Sequence, residues 1–154
     1  MELVIFVGIQ ATGKSSFWRE RFSDSHLRIN LDMLRTRHRE RLIFEACLAS
    51  KTSLVVDNTN LTRQDRARYI PPARAARFAV HGYFFDSRLE DALRRNAGRS
   101  GKARVPDVAV AGALARLQAP APGEGFDTLN LVRIGPDGAF VTSPWPLAPE
   151  GEPS

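Results

Sequence analysis

Residues 8–15, Gly8-Ile9-Gln10-Ala11-Thr12-Gly13-Lys14-Ser15, fit the spacing G-x-x-x-x-G-K-[ST]. The residue types at that spacing match what a triphosphate needs. The glycines let the backbone wrap tightly and turn its N–H groups inward onto phosphate oxygens. A helix starting near Lys14 adds the positive end of its dipole. Lys14 reaches the β and γ phosphates, and the Ser15 hydroxyl ligates magnesium. ATP and Mg2+ are therefore the expected cofactors. Gly8, Gln10, Ala11, Thr12, Gly13, Lys14, Ser15 and Ser16 are the expected nucleotide contacts. The loop alone does not choose between kinase, GTPase and motor. The chain has no N-K-x-D and no D-x-x-G, which a guanine-nucleotide switch requires. It is short for a mechanical ATPase, and a small kinase fits its length best.

A kinase also needs an acceptor side. Asp32 lies in Arg28-Ile29-Asn30-Leu31-Asp32-Met33-Leu34-Arg35, just after an apolar segment and at the expected start of a helix. In an open α/β sheet, ligands sit beyond the carboxyl ends of the strands. Asp32 should then face the same crevice as the phosphate loop, where it can orient an acceptor hydroxyl for in-line attack. It could equally be an ordinary helix cap. Arg35, one turn on, suits a substrate phosphate; together with Arg39 it also reads as a solvated face. A second carboxylate, Asp57, ends Leu54-Val55-Val56. Asp57 either supports magnesium with Ser15, through water, or holds Arg35 in place for the acceptor. Asn58 joins the acceptor candidates, or belongs with Thr59 and Asn60 to a turn cluster. Further on, Arg94, Arg95, Arg99, Lys102 and Arg104 are interrupted by Gly98 and Gly101. Mobile arginines of this kind can close over a triphosphate as a lid; the alternative is a flexible basic loop.

These residues require particular elements. Leu3 to Val7 reads as a strand buried on both faces. A helix over 14–23 follows the loop, then a strand over 27–30 and a helix over 33–50. Leu54 to Val56 is a third strand. A polar helix starts at Thr62 and runs to, or resumes after, Pro71-Pro72. Arg77 to Phe85 is the fourth strand, with Asp86 or Ser87 capping a helix over 88–97. A lid over about 94–107 leads into a helix over 107–118. Strands alternating with helices imply parallel pairing through right-handed crossovers. The fold class is α/β: a P-loop NTPase three-layer sandwich with a mainly parallel sheet and an arginine-bearing lid. Beyond residue 118 the composition shifts, with eight of ten prolines after residue 105. Residues 128–134 and 139–142 flank Gly135-Pro136-Asp137-Gly138, a turn joining two strands. One kinase domain over 1–142 and a loose proline-rich tail over 143–154 are expected.

The 154 residues, 43% apolar and 25% charged, suit one globular domain. No run approaches a membrane span, and the apolar N-terminal run is too short for a secretory signal. One cysteine, Cys47, allows no internal disulfide framework, so the expected location is the cytoplasm. Residues 1–118 carry 21 basic and 12 acidic groups, a net of +9, while residues 119–154 carry −4. A basic core favours an anionic partner. His26, His38 and His81 show no metal-ligand spacing. Cys47, Phe17 and Trp18 read as packing residues.

Taken together, these motifs resemble the kinase domain of polynucleotide 5'-hydroxyl kinases of the phage and DNA-repair type. The matching elements are Gly8…Gly13-Lys14-Ser15-Ser16, Asn30-Leu31-Asp32-Met33-Leu34-Arg35, Val56-Asp57-Asn58-Thr59-Asn60 and Arg95-Asn96…Arg99…Val105-Pro106. The resemblance implies transfer of the γ-phosphate of ATP to the 5'-OH end of DNA or RNA. It implies Asp32 as the catalytic aspartate and Arg35 on the acceptor's 3' phosphate. Asp57 matches the acid that ends the third strand. Arg99, with Arg95 second, matches the lid arginine on the donor phosphates. The chain has no D-x-D-x-[TV] phosphatase signature, so a bare kinase module is expected. Two other readings remain open at this point. One is a kinase of a small metabolite, sugar or antibiotic hydroxyl. The other is an ATP-gated nucleic-acid-binding module without catalysis.

Overall fold

The computed structural model describes residues 1–146 apart from Ser87. Strand β1 (Glu2–Val7) is buried from Leu3 onward and lies inside a six-stranded sheet of order β2-β3-β1-β4-β5-β6. Strands β2 (Leu27–Ile29), β3 (Leu54–Val56), β4 (Ala79–Phe85) and β5 (Thr128–Ile134) run parallel to β1. Strand β6 (Phe140–Pro144) is antiparallel to β5 at one edge.

Alternation along β1 splits the core. Leu3, Ile5 and Val7 pack on one face with Phe44 and Cys47 of helix α3 (Arg37–Ser50) and with Ile70 and Ala73 of α5 (Ile70–Ala75). Val4 and Phe6 pack on the other face with Phe17 of α1 (Lys14–Arg21) and with Phe22. Both faces are covered, which is why the strand reads as an unbroken apolar run. On the α1 side, Phe6, Phe17, Phe22, Tyr83 and Phe85 form an aromatic cluster with ring centroids 5.0 to 6.2 Å apart. Gly82 in β4 is required by close approach: a Cβ there would lie 2.5 Å from the Leu129 side chain. A third cluster joins Ile9 and Leu61 to Ala92 of α6 (Leu89–Ala97) and to Val110 and Ala113 of α7 (Asp107–Arg116). No helix among the described residues is long and apolar enough to cross a membrane.

Four local outcomes differ from the sequence reading. The single helix expected over 33–50 is two: α2 (Leu31–Leu34) and α3. Asn30 caps the first by accepting from the Met33 N–H, and Thr36 caps the second by accepting from the Arg39 N–H. Between them Arg35 sits at φ 74°. Two capping residues six positions apart out-compete one continuous helix. Pro71 and Pro72 start α5 rather than break a helix, because their missing N–H groups are unneeded in a first turn. The preceding α4 (Arg63–Arg66) is held by a capping box between Thr62 and Asp65. Strand β4 begins two residues late, since Arg77, at φ 65°, turns the chain after α5. Strand β6 extends to Pro144, and the Trp145 ring packs 5.1 Å from that of Phe84. The Trp145 indole N–H also donates to the Pro120 carbonyl at 3.0 Å. Residues 143–145 are thus joined to the sheet, whereas 147–154, most of the expected tail, lie outside the described residues. The capping role considered for Ser87 lies outside them too.

Candidate active site

The carboxyl ends of β1, β2 and β3 surround a cavity of about 400 Å³. Its floor is the phosphate loop. Ala11 and Gly13 adopt left-handed backbone, at φ 62° and 94°. A Cβ on Gly8 would come within 2.9 Å of Phe85 Cβ, and one on Gly13 within 2.9 Å of the Phe140 ring. Thr12 Oγ1 is turned inward, donating to the Ile9 carbonyl at 2.9 Å. Helix α1 starts directly after Gly13, which offers no side chain to its first turn. Its first-turn N–H groups have no side-chain cap, the kind of helix start that can bind an anion.

Lys14 folds over the loop, its Nζ donating to the Gly8 carbonyl at 2.9 Å and the Ile9 carbonyl at 2.6 Å. Burial pushes its ammonium down to about 8; the Arg99 charge adds to this, against the Asp57 and Asp32 carboxylates. Lys14 thus lies within the field of both predicted carboxylates and of the predicted lid arginine.

Residues 57–60 tie three strand ends together. Asn58 Oδ1 accepts from the Leu31 N–H at 2.8 Å, fixing the start of α2 and with it Asp32. Its Nδ2 donates to Glu40 Oε2 at 3.0 Å. The Thr59 carbonyl accepts from the Gly8 N–H at 3.0 Å. Asn60, at φ 47°, donates from Nδ2 to the Phe6 carbonyl at 2.8 Å. Asparagine tolerates that backbone better than most residues. Opposite, Asn30 Nδ2 donates to the Asp57 carbonyl at 2.7 Å. Asn58 therefore lines the cavity but spends both ends of its amide on positioning.

Glu40 is buried at the centre of this scaffold, 1% exposed. It accepts from Arg37 Nη1 at 2.9 Å and from the Tyr69 hydroxyl at 2.6 Å. Burial, reinforced by the bond to Glu40, pushes the Tyr69 hydroxyl up to about 12, so it stays a donor.

At the carboxyl end of β3, Ser15 Oγ donates to Asp57 Oδ2 at 3.3 Å. Arg28, from β2, sits on both: Nε donates to Asp57 Oδ2 at 2.8 Å and Nη2 to Ser15 Oγ at 2.9 Å. Two hard oxygens already gathered round a cation suit Mg2+ as donors. On the lid side, Arg99 lines the cavity with Ala103 and Val105, its Nη1 donating to the Ala103 carbonyl at 3.1 Å. The buried Asn96 closes the neck of that loop. It accepts from the Val105 N–H at 3.0 Å and donates to the Val105 carbonyl at 2.6 Å.

The cavity wall therefore unites Gln10, Ala11, Lys14, Ser15, Asp32, Asp57, Asn58 and Arg99, all singled out from sequence. Among the described residues, the wall does not include Gly8, Thr12, Gly13, Ser16, Arg95 or Arg35. Arg35 was expected one helical turn from Asp32, but α2 ends at Leu34 and the positive φ redirects it. Arg37 stands on the wall instead. Nor does Asp57 hold Arg35; its partner is Arg28. Arg28, Arg37 and Glu40 were missed by sequence reasoning. An arginine inside a three-residue strand of a buried sheet, and the i, i+3 spacing of Arg37 and Glu40, were the available signals.

A phosphate loop leaving the central strand of a mostly parallel sheet, with a carboxylate beyond each of the next two strands, defines the P-loop kinase fold. Residues 3–120 match the AAA domain family (AAA_33), and the chain belongs to it. The bifunctional polynucleotide phosphatase/kinase of Schizosaccharomyces pombe is 27% identical over 135 residues, covering 85% of this chain and 33% of that protein. The chain thus spans about one third of the length of this curated relative. A sugar kinase from Janibacter sp. HTCC2649 is similar in fold, with a TM-score of 0.66 at 17% identity over 85% of each chain. A gluconokinase from Sinorhizobium meliloti 1021 gives 0.59 at 18% identity, covering 86% of this chain and 82% of the other.

Proposed function

We propose that the protein is an ATP- and magnesium-dependent kinase that phosphorylates the 5'-hydroxyl end of DNA or RNA. The observation that carries the kinase reading is the position of Asp32, on the wall of the cavity that holds Lys14 and Asp57. The likeness to a polynucleotide phosphatase/kinase and the basic core favour a nucleic-acid acceptor. In this reading the triphosphate lies along the phosphate loop, and Lys14 leaves the Gly8 and Ile9 carbonyls for the β and γ phosphates. Asp32 accepts a hydrogen bond from the 5'-hydroxyl and aligns its oxygen with the γ phosphorus. Phosphoryl transfer has a loose transition state, so alignment counts for more than early removal of the proton. Arg99 and Lys14 neutralise charge on the transferring group. Ser15 and, through water, Asp57 would hold Mg2+, which would supply charge neutralisation for the phosphates. Arg37, on the cavity wall, takes the acceptor-phosphate role expected of Arg35.

The direct test is incubation with γ-labelled ATP and a panel of 5'-OH oligonucleotides, nucleoside 3'-phosphates, sugars and sugar acids. Labelled oligonucleotide ends, abolished by Asp32→Ala with the fold intact, are the expected result. A second reading, phosphorylation of a small hydroxyl compound, draws on the size of the cavity, which falls among small-molecule sites. Label on a sugar and none on any nucleic acid would establish that reading in place of the first.

A further inference from the structure

Arg28 takes no part in the chemistry proposed above, yet its guanidinium holds both oxygens assigned to the metal. Nε lies 2.8 Å from Asp57 Oδ2 and Nη2 lies 2.9 Å from Ser15 Oγ. The group is braced on its other sides: it lies 5.7 Å from the Trp18 ring centroid, and Nη1 lies 3.3 Å from Met33 Sδ. The Asp57 side chain is only 2% exposed. A carboxylate so buried is costly without a counter-cation. A divalent ion drawn to these two oxygens and a guanidinium already seated on them repel each other and compete for the same acceptors.

We infer that Arg28 is an internal competitor of the divalent cation, occupying the Ser15–Asp57 oxygen pair until a metal–nucleotide complex displaces it. A free metal ion would gain the Ser15 oxygen directly and Asp57 only through water, against a charge-assisted contact to both oxygens already made. A metal carried on a polyphosphate brings its own further ligands, and the phosphates offer the displaced guanidinium a new partner. Metal and nucleotide are thereby made to enter together. Metal-free nucleotide would instead meet Arg28 in place, as a cation beside its phosphates. The inference rests on the phosphate loop holding a nucleotide, not on what the acceptor is, so it can be read with no acceptor present.

The test measures Mn2+ binding in the presence of ADP, by electron paramagnetic resonance, and ADP affinity in EDTA. Wild-type protein is compared with Arg28→Gln and Arg28→Lys. Arg28→Gln should bind Mn2+ roughly tenfold tighter or more, while its metal-free ADP affinity falls. Arg28→Lys should lie between, because an ammonium cannot bridge both oxygens as a planar fork does. Loss of folding quality would weaken both affinities together and cannot produce opposite shifts. Unchanged or weaker Mn2+ binding in folded Arg28→Gln overturns the inference. Should neither variant fold, a crystal structure of the wild type with Mg2+ and a non-hydrolysable ATP analogue decides it. Arg28 released from Ser15 Oγ supports the inference, and the contact retained beside a bound metal overturns it. Wild-type protein that binds no ADP under any condition overturns this inference and the nucleotide reading together.

Discussion

Lys14 carries a pH dependence whose sign can be worked out. A polyphosphate prefers the charged ammonium, and burial holds that ammonium at about 8 in the free protein. Bound phosphates raise it, so binding takes up a proton. Nucleotide affinity should therefore fall as pH rises through about 8, with a limiting slope of roughly tenfold per pH unit. Titration calorimetry in buffers of different ionisation heat would measure the proton uptake, and a flat affinity across that window would deny Lys14 its role. Folding stability runs the other way. The unfolded lysine titrates near 10.5, so the unfolded chain holds more protons between the two values and this group favours the fold increasingly as pH rises. Glu40 offers a second test at the residue scale. A glutamine cannot accept from Arg37, Tyr69 and Asn58 together, and its own amide would face a donor. Glu40→Gln should cost about 1–3 kcal/mol of stability, read by denaturant unfolding. Its kcat should fall by more than its KM for ATP rises, because Asn58, which fixes the start of α2 through the Leu31 N–H, loses its anchor on Glu40. An unaltered kcat would make Glu40 a folding residue only.

At the scale of elements, most of the sheet was legible in the sequence. The runs Leu3 to Val7 and Leu54 to Val56 carry no polar residue, as strands covered on both faces must. Helix α2 was less legible. Asn30 and Thr36 are both good caps, but nothing local says that two short turns beat one long helix; Asn58, reaching the Leu31 N–H from 27 residues away, helps decide it. The same holds for the site. Asp32 and Asp57 announce themselves at strand ends, whereas Arg28 and Glu40 matter only through partners that the fold brings together. The loop between α6 and α7 shows one more such contact. Asn96 holds Val105 through both backbone groups, and Arg99 lies on the loop between them. Asn96→Ala should release that neck. We expect kcat to drop about tenfold or more, as for a misplaced transition-state donor, with ADP affinity changed far less. Steady-state kinetics beside ADP titration would separate the two, and an equal loss in both would argue that Asn96 only supports the fold.

The whole molecule contributes a field. The net of +9 over residues 1–118 is set against −4 beyond. A nucleic-acid acceptor engaging that field releases counterions, so log affinity for a single-stranded 5'-OH oligonucleotide should fall linearly with log salt. Contact with about 3–6 phosphates would give a slope of roughly −2 to −4. Fluorescence anisotropy across a salt series measures it, and a slope near zero would favour a small uncharged acceptor.

The edge hairpin of β5 and β6 carries no motif, yet Phe140 abuts Gly13 and packs edge-to-face on Phe17, ring centroids 5.1 Å apart, at the first turn of α1. Grip on the polyphosphate and order in that hairpin are then thermodynamically linked, and the linkage is reciprocal. Occupying the loop should slow amide hydrogen exchange along β6, some of the most peripheral backbone in the sheet. Conversely, a destabilising change on the far side of the hairpin should be felt as a weakened hold on a ligand it never touches.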